Sequence, residues 1–131
     1  MKINQAVILC GGLGTRLKPI TDYLPKPMVP ICGQPFLEYL VKQLKANGIK
    51  EIVLLTGYKK EKIEEHFGDG AKFEIKINYS RGEVEWETGK RLYQANNILE
   101  ENFLLLYGDN FSSQFNLKRL INFHRSKNPL V

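Results

Sequence analysis

A glycine-rich loop beside an arginine offers the clearest chemistry in the sequence. Residues 11–16 read GGLGTR and directly follow an apolar run. Glycines carry no side chain, so their backbone N–H groups can approach and cradle phosphate oxygens. Thr15 adds a hydroxyl donor, and Arg16 adds a positive charge. The segment therefore indicates a loop that binds phosphate.

Two better-known phosphate loops do not fit this segment. A Gly-x-Gly-x-x-Gly fingerprint that starts at Gly12 would need a third glycine where Leu17 stands, and no Gly-Lys-Ser/Thr follows. Prolines at positions 19, 25, 27 and 30 forbid the regular helix that both known loops need. We therefore expect irregular chain that passes over the ends of the strands.

A second cation strengthens the phosphate-binding interpretation. Taken alone, the glycines favour an ordinary turn with a solvated Arg16. Lys26, however, stands between Pro25 and Pro27. The two prolines restrict the backbone, which reduces the entropy lost when the ammonium group meets an anion. Loop and lysine together favour anion binding over a plain turn.

A carboxylate is expected at the same place. Asp109 follows the apolar run at residues 103–107. If the sheet is parallel, Asp109 lies on the same edge as the glycine loop, where it would repel a polyphosphate unless a bridging Mg²⁺ intervened. The alternative is that Asp109 caps the backbone of a local turn. Taken alone, Asp109 favours the turn interpretation over the metal site.

The elements that must position these groups alternate between strand and helix. Apolar runs rich in β-branched or aromatic residues predict buried strands at residues 6–10, 52–55, 73–79 and 103–107. Apolar stripes with helical spacing separate them. The stripes are Leu37, Leu40, Val41 and Leu44 between Pro35 and Gly48; Ile63 and Phe67 before Gly68; Leu92, Ala95 and Leu99; and Leu117, Leu120 and Ile121 after a capping Asn116. This order predicts an α/β fold with a largely parallel sheet and a ligand beyond the carboxyl ends of its strands.

The composition fits one domain and excludes several classes of protein. The chain has 131 residues and a net charge of +5, but its basic residues are interleaved with acids, which argues against nucleic acid as a partner. No apolar run is long enough for a signal sequence or a membrane span, so we expect a cytoplasmic protein without a membrane partner. Cys10 and Cys32 form no Cys-x-x-Cys pair, and we expect reduced, unreactive thiols. Leu130 and Val131 resemble the start of another buried strand, so we expect a fragment of a longer chain.

The motifs in their order closely resemble the signature of one enzyme family, the sugar-1-phosphate nucleotidylyltransferases. The resemblance is carried by LCGGLGTRL at residues 9–17, PKPM at residues 25–28 and GxP at residues 33–35. It extends to GDG at residues 68–70 and YGD at residues 107–109. It covers nearly the whole chain.

The resemblance implies a reaction and a fold. Enzymes of this family couple a nucleoside triphosphate and a sugar-1-phosphate to a nucleotide sugar, release pyrophosphate, and supply polysaccharide biosynthesis. The implied fold is a Rossmann-like, three-layer α/β/α arrangement of the nucleotide-diphospho-sugar transferase type. Residues 1–131 would form the nucleotide-binding portion of a single domain, whose carboxyl-terminal, sugar-binding portion would be absent. A homo-oligomer is compatible with this assignment.

The resemblance also implies roles for individual residues. Arg16 and Lys26 would be the catalytic residues, because both contact the triphosphate, and Asp109 would be a ligand of the cofactor Mg²⁺. In the family a later aspartate is the second metal ligand, and it has no counterpart here. The residues implied to bind the nucleotide are Leu9, Gly11, Gly12, Gly14, Thr15, Arg16, Lys26, Thr88 and Gly89.

The segment at residues 88–92 stands where the family contacts the nucleotide base. Its spelling, Thr-Gly-x-Arg, looks more like the cytidylyltransferases of glucose-1-phosphate, so CTP is slightly preferred over GTP or dTTP. The hydroxyl of Thr88 could equally well cap the following helix. Nearby, Trp86 could close over a sugar or base or rest on a neighbouring chain, and we slightly favour the interface. His66 and His124 are expected to be surface or capping residues.

A function of a different class is compatible with the same motifs. A non-catalytic nucleotide-binding or regulatory module, or an inactive fragment of such an enzyme, would keep the loop without the chemistry. Covalent catalysis has no support, because no serine or cysteine stands beside a base in a recognisable pattern.

Overall fold

The protein, seen in a computed structural model that describes residues 2–127, contains a parallel sheet with helices on both faces. The strands are β1 (Gln5–Leu9), β2 (Pro30–Ile31), β3 (Gln34–Pro35), β4 (Glu51–Thr56), β5 (Lys76–Arg81) and β6 (Leu104–Tyr107). The helices are α1 (Phe36–Ala46), α2 (Lys60–Phe67), α3 (Thr88–Gln94) and α4 (Leu117–Lys127). The four long strands pair in parallel in the order β5-β4-β1-β6, and β2 and β3 form a separate antiparallel hairpin. The predicted α/β class and parallel sheet are confirmed.

The two middle strands, β1 and β4, form the centre of the core. Val7, Ile8, Val53 and Leu54 are all fully buried. Strands that are covered on both faces read as continuous apolar runs rather than alternating ones, and this is the pattern that the sequence shows. One face packs against α1, α2 and α4, and the other packs against α3. The result is the three-layer arrangement that the resemblance implied.

Helix α1 shows how local residue types define one layer. It begins directly after Pro35, whose ring favours the backbone angle of a helix start. It ends before Gly48, which has φ +89° and so takes the left-handed conformation common after helices. The predicted stripe of four apolar residues is at most 1% exposed and packs on the sheet. This prediction is confirmed.

The predicted cap of helix α4 is also confirmed. The Oδ1 atom of Asn116 accepts a hydrogen bond of 3.0 Å from the backbone N–H of Arg119. Such a bond satisfies one of the N–H groups that the first turn of a helix leaves unpaired. Leu117 of this helix is buried against the core.

The third predicted strand starts too early. The sequence predicts it at residues 73–79, but β5 begins at Lys76. Phe73 belongs to a 3₁₀ turn, and Glu74 has φ +57°, which breaks the extended backbone. The aromatic ring of Phe73 packs on Phe67 of α2, with ring centroids 5.2 Å apart, instead of joining the sheet.

The third predicted helix is too long. Helix α3 ends at Gln94, a 3₁₀ turn follows at Asn96–Ile98, and Leu99 lies beyond both. Leu99 still packs against the same core cluster as Ala95, so its apolar character reflects burial and not helical periodicity.

The hairpin of β2 and β3 was not predicted. The strand expected at residues 130–131 lies outside the described residues. None of the helices within residues 2–127 is long and apolar enough to cross a bilayer.

Alanine substitution at two glycines tests how closely neighbouring atoms pack around the turns next to the sheet. Gly48 and Gly70 both have φ +89°, but a Cβ at Gly48 would meet open space whereas one at Gly70 would lie 1.9 Å from the carbonyl oxygen of Ile75. We expect Gly48→Ala to cost about 1–2 kcal/mol of unfolding free energy through backbone strain. Gly70→Ala should cost about 1–3 kcal/mol more because of the clash. Urea unfolding of both variants measures the difference, and equal costs would contradict the described packing before β5.

Candidate functional site

A cavity of about 740 Å³ lies beyond the carboxyl ends of β1 and β6. Every site residue that the sequence analysis singled out lines this one cavity. These residues are Leu9, Gly11, Gly12, Gly14, Thr15, Arg16, Lys26, Thr88, Gly89 and Asp109. The structure therefore brings the whole predicted set together, and their individual roles remain predictions.

The glycine loop, residues 11–16, bends sharply and is followed by irregular chain. Gly14 has φ +65°, and a Cβ there would lie 3.0 Å from both the Cβ of Lys26 and the Cγ2 of Thr21. The Thr21 hydroxyl donates a hydrogen bond of 2.8 Å to the Gly14 carbonyl. Only short 3₁₀ turns follow the loop, as the prolines predicted. This close folding of the chain on itself brings Arg16 and Lys26 to the same cavity.

The two charged residues Lys26 and Asp109 form an ion pair. The Nζ atom of Lys26 lies 2.9 Å from the Oδ2 atom of Asp109, and their side chains are 37% and 41% exposed. Within residues 2–127, this carboxylate accepts no hydrogen bond from a backbone N–H, so the turn-capping alternative does not hold. Ion pairs this exposed contribute little to stability, so a phosphate and a cation can separate them at small cost.

The residues around Asp109 fit a metal ion that is held jointly with a substrate. Within the described chain, no group of three or more His, Cys, Asp or Glu side chains is placed to hold a metal by itself. Mg²⁺ commonly uses one or two carboxylates together with substrate phosphates and water. A single accessible carboxylate in a cavity with a phosphate-binding loop matches that donor set, and Asp109 would be the protein ligand.

Arg91 is the main site residue that the sequence analysis did not single out. Its side chain is buried, and its guanidinium donates hydrogen bonds to the carbonyls of Gly11, at 3.4 Å, and Thr56, at 3.0 Å. Burial lowers the pKa of Arg91, although arginine stays charged at neutral pH. The Thr-Gly-x-Arg motif contains Arg91, but the sequence could not show that its partners would be the carbonyls of Gly11 and Thr56, which are distant in the chain. The guanidinium lies beneath the glycine loop rather than facing a base.

The other residues near α3 take different positions from those considered. Thr88 is the first residue of α3, and Glu87 occupies the cap position without a side-chain bond, so Thr88 does not cap the helix. Trp86, which the sequence slightly favours as an interface residue, lines the cavity, and the Nζ atom of Lys90 lies 4.7 Å from its ring centroid. His66 contacts the carboxylate of Glu38 at 2.8 Å, away from the cavity.

Comparison with known proteins establishes the class of this chain. Residues 5–131 match the nucleotidyl transferase family, so the chain belongs to that family. It is 46% identical, over 82% of its length, to D-glycero-alpha-D-manno-heptose 1-phosphate guanylyltransferase of Campylobacter jejuni. It is 39% identical, over 94% of its length, to a probable glucose-1-phosphate cytidylyltransferase of Bacillus subtilis.

A solved structure supports the same assignment. HddC from Yersinia pseudotuberculosis, complexed with GMP-PN, matches 93% of this chain with a TM-score of 0.81 and 32% identity. The chain spans 54% of that protein, 48% of the Campylobacter enzyme and 56% of the Bacillus enzyme. It therefore corresponds to about half of each relative.

Cys10 lines the cavity, and its buried thiol should make the free energy of unfolding depend on pH. Burial raises its pKa, against the opposing effect of the Arg91 charge. In the unfolded chain a thiol ionises at about pH 8.5, whereas Cys10 in the folded protein keeps its proton. Because the unfolded state then binds fewer protons, the free energy of unfolding should fall by up to about 1.4 kcal/mol per pH unit above that pH.

Urea unfolding between about pH 8 and pH 9, below the tyrosine pKa of about 10, measures this slope. Cys10→Ala should abolish the slope, whereas Cys32→Ala, at an exposed thiol, should keep it. An identical slope in wild type and Cys10→Ala would show that Cys10 ionises in the folded protein.

Proposed function

We propose that this chain is the nucleotide-binding half of a cytoplasmic, magnesium-dependent sugar-1-phosphate nucleotidylyltransferase. The observation that carries the proposal is the meeting of the glycine loop, Arg16, Lys26 and Asp109 in one cavity at the carboxyl edge of a parallel sheet. Membership of the nucleotidyl transferase family supports it. The Campylobacter relative is named a guanylyltransferase and the Bacillus relative a probable cytidylyltransferase, each of a sugar-1-phosphate.

The proposed reaction needs positioning and charge neutralisation more than proton transfer. An oxygen of the sugar phosphate attacks the α-phosphorus of the nucleoside triphosphate in line, a new P–O bond forms, and the bond to pyrophosphate breaks. The attacking phosphate is already ionised near neutral pH, so no general base is required. Fixed cations and backbone N–H groups then lower the barrier by stabilising the charge that develops.

Arg16, Lys26 and Asp109 each have a role in this proposal. The glycine loop holds the triphosphate, and exposed Arg16 binds its oxygens from the solvent side. Lys26 leaves Asp109 and binds the phosphates, which frees the carboxylate to act as a metal ligand. Magnesium, when bound, supplies the additional positive charge that a polyphosphate next to Asp109 requires.

The choice of base is the finer part of the proposal. The Thr-Gly-x-Arg spelling and the Bacillus relative favour CTP, whereas the Campylobacter relative and HddC with GMP-PN favour GTP. Arg91 is bound to backbone carbonyls, so a preference for CTP would depend on Thr88, Gly89 and their neighbours rather than on the guanidinium. We retain CTP as the first nucleotide to test.

Pyrophosphate release tests the function. The 131-residue chain and the complete product of its reading frame are incubated with Mg²⁺, each nucleoside triphosphate in turn and a panel of sugar-1-phosphates. Release by the complete product establishes the enzyme and identifies the base. Nucleotide binding without release from any combination would support the non-catalytic binding module instead. Light scattering of the same samples tests the expected homo-oligomer.

Substitution of the two cavity cations tests their assigned roles. Arg16→Ala and Lys26→Ala should each lower turnover by about 10²–10³-fold, because each removes a charge that stabilises the transition state. Neither should change the free energy of unfolding by more than about 1 kcal/mol, since both side chains are accessible. Lys18→Ala is the matched control, because Lys18 is exposed, close in sequence and outside the cavity lining. Normal turnover in Arg16→Ala would refute its role.

A further inference from the structure

We propose that Arg91 is a positioning residue that joins the two walls of the cavity. One wall is the glycine loop, residues 11–16, and the other is residues 82–87, which we call the tryptophan loop because it carries Trp86. The proposal concerns how these walls are held together, and only its effect on nucleotide affinity rests on the proposed function.

The hydrogen bonds of Arg91 connect three separate segments of the chain. Its Nη1 atom donates to the carbonyl at the end of β4, and its Nη2 atom reaches the glycine loop. Three further bonds go to the tryptophan loop. They are Nη2 to Glu83 O at 2.7 Å, Nη2 to Val84 O at 3.2 Å and Nε to Trp86 O at 3.0 Å. One rigid planar group therefore sets the spacing between the two loops and the sheet.

The glycines around the guanidinium show how closely these segments enclose it. A Cβ at Gly11 would lie 2.3 Å from the Cζ atom of Arg91. One at Gly57 or Gly82 would lie 3.1 Å from its Nη1 atom, and one at Gly82 would also meet the Trp86 ring at 2.5 Å. Gly12, the next residue of the glycine loop, has open space instead. Gly11 is thus required by the buried guanidinium, independently of any ligand.

The charge of Arg91 has no acidic partner within the part of the chain that the structure describes. Among residues 2–127, the guanidinium forms no salt bridge and is bound to carbonyl oxygens alone. A buried cation of this kind is favourable only if its hydrogen bonds are complete, which makes the carbonyl arrangement strongly specified. It also places a positive charge beneath a cavity proposed to hold a polyphosphate.

Trp86 reports directly on this arrangement, because it is the only tryptophan in the 131-residue chain. In Arg91→Met, which keeps the length of the side chain but loses the donors, we expect the quenching of Trp86 fluorescence by acrylamide to rise about two-fold or more as its loop loosens. Arg91→Lys should not restore the wild-type value, since one ammonium group cannot span the carbonyls of three segments. Arg81→Met, at an exposed arginine paired with Glu64, is the control and should quench like wild type.

A second pair of variants separates positioning from loss of charge. Gly11→Ala retains every charge but displaces the guanidinium, and should raise quenching as Arg91→Met does. Gly12→Ala, in open space, should leave quenching unchanged. Circular dichroism checks that each variant is folded, and if Arg91→Met is unfolded, the comparison of Gly11→Ala with Gly12→Ala decides.

Titration with Mg-CTP, Mg-GTP and Mg-dTTP provides the functional measurement. We expect Arg91→Met and Gly11→Ala to bind the nucleotide that wild type binds about ten- to a hundred-fold more weakly, because the loops are misplaced. Folded Arg91→Met or Gly11→Ala with wild-type quenching would overturn the proposal. If wild type binds none of the three nucleotides, the proposed function is wrong, and the quenching measurements still decide whether Arg91 joins the two loops.

Discussion

The parallel pairing of β1 with a strand on each side is the constraint on which the site depends. Leu9 at the end of β1 is opposite Leu55 of β4 and opposite Tyr107 of β6. The N–H of Gly108 extends the ladder by donating to the Leu9 carbonyl at 2.9 Å. Since parallel strands end at one edge, the glycine loop and Asp109 must meet there, although about ninety residues separate them in sequence. An antiparallel β6 would carry Asp109 to the opposite edge.

The cations of the cavity differ in how firmly they are held. Lys26 and Arg16 are accessible to solvent, so water and salt screen their charges and their side chains can adapt to a ligand. Arg91 is buried and fixed by carbonyl oxygens, so its contribution to the potential is permanent. Such a site combines a fixed positive charge at the bottom of the cavity with adaptable, positively charged side chains above it. This combination suits a flexible and highly charged ligand.

The features that could be predicted from the sequence are those governed by local pattern. Continuous apolar runs identified β1, β4 and β6, and helical spacing identified α1. The cavity lining could also be predicted, because motif residues that follow parallel strands converge at one edge.

The predictions failed where tertiary packing decides local structure. Phe73 lies in an apolar run, yet it packs on α2 because Glu74 adopts a left-handed backbone. Leu99 fits a helical stripe, yet α3 stops before it and the residue is buried by another route. The role of Arg91 could not be derived from spacing, because its partners are backbone carbonyls, which every residue possesses and which only the folded chain brings together.

The three glycines around Arg91 have a consequence for how sequences of this kind can diverge. Gly57 and Gly82 belong to different segments from Arg91, yet each is restricted by the space that its guanidinium or the Trp86 ring fills. A lineage that exchanges Arg91 for a small residue is released from this restriction at Gly11, where every near contact of a Cβ is an Arg91 atom, and can acquire a larger side chain there. Gly57 stays limited by the Gly11 carbonyl oxygen and Gly82 by the Trp86 ring. The reverse exchange is then blocked, because an arginine would return to a space already occupied. Loss of this one side chain would therefore be difficult to undo by later single substitutions.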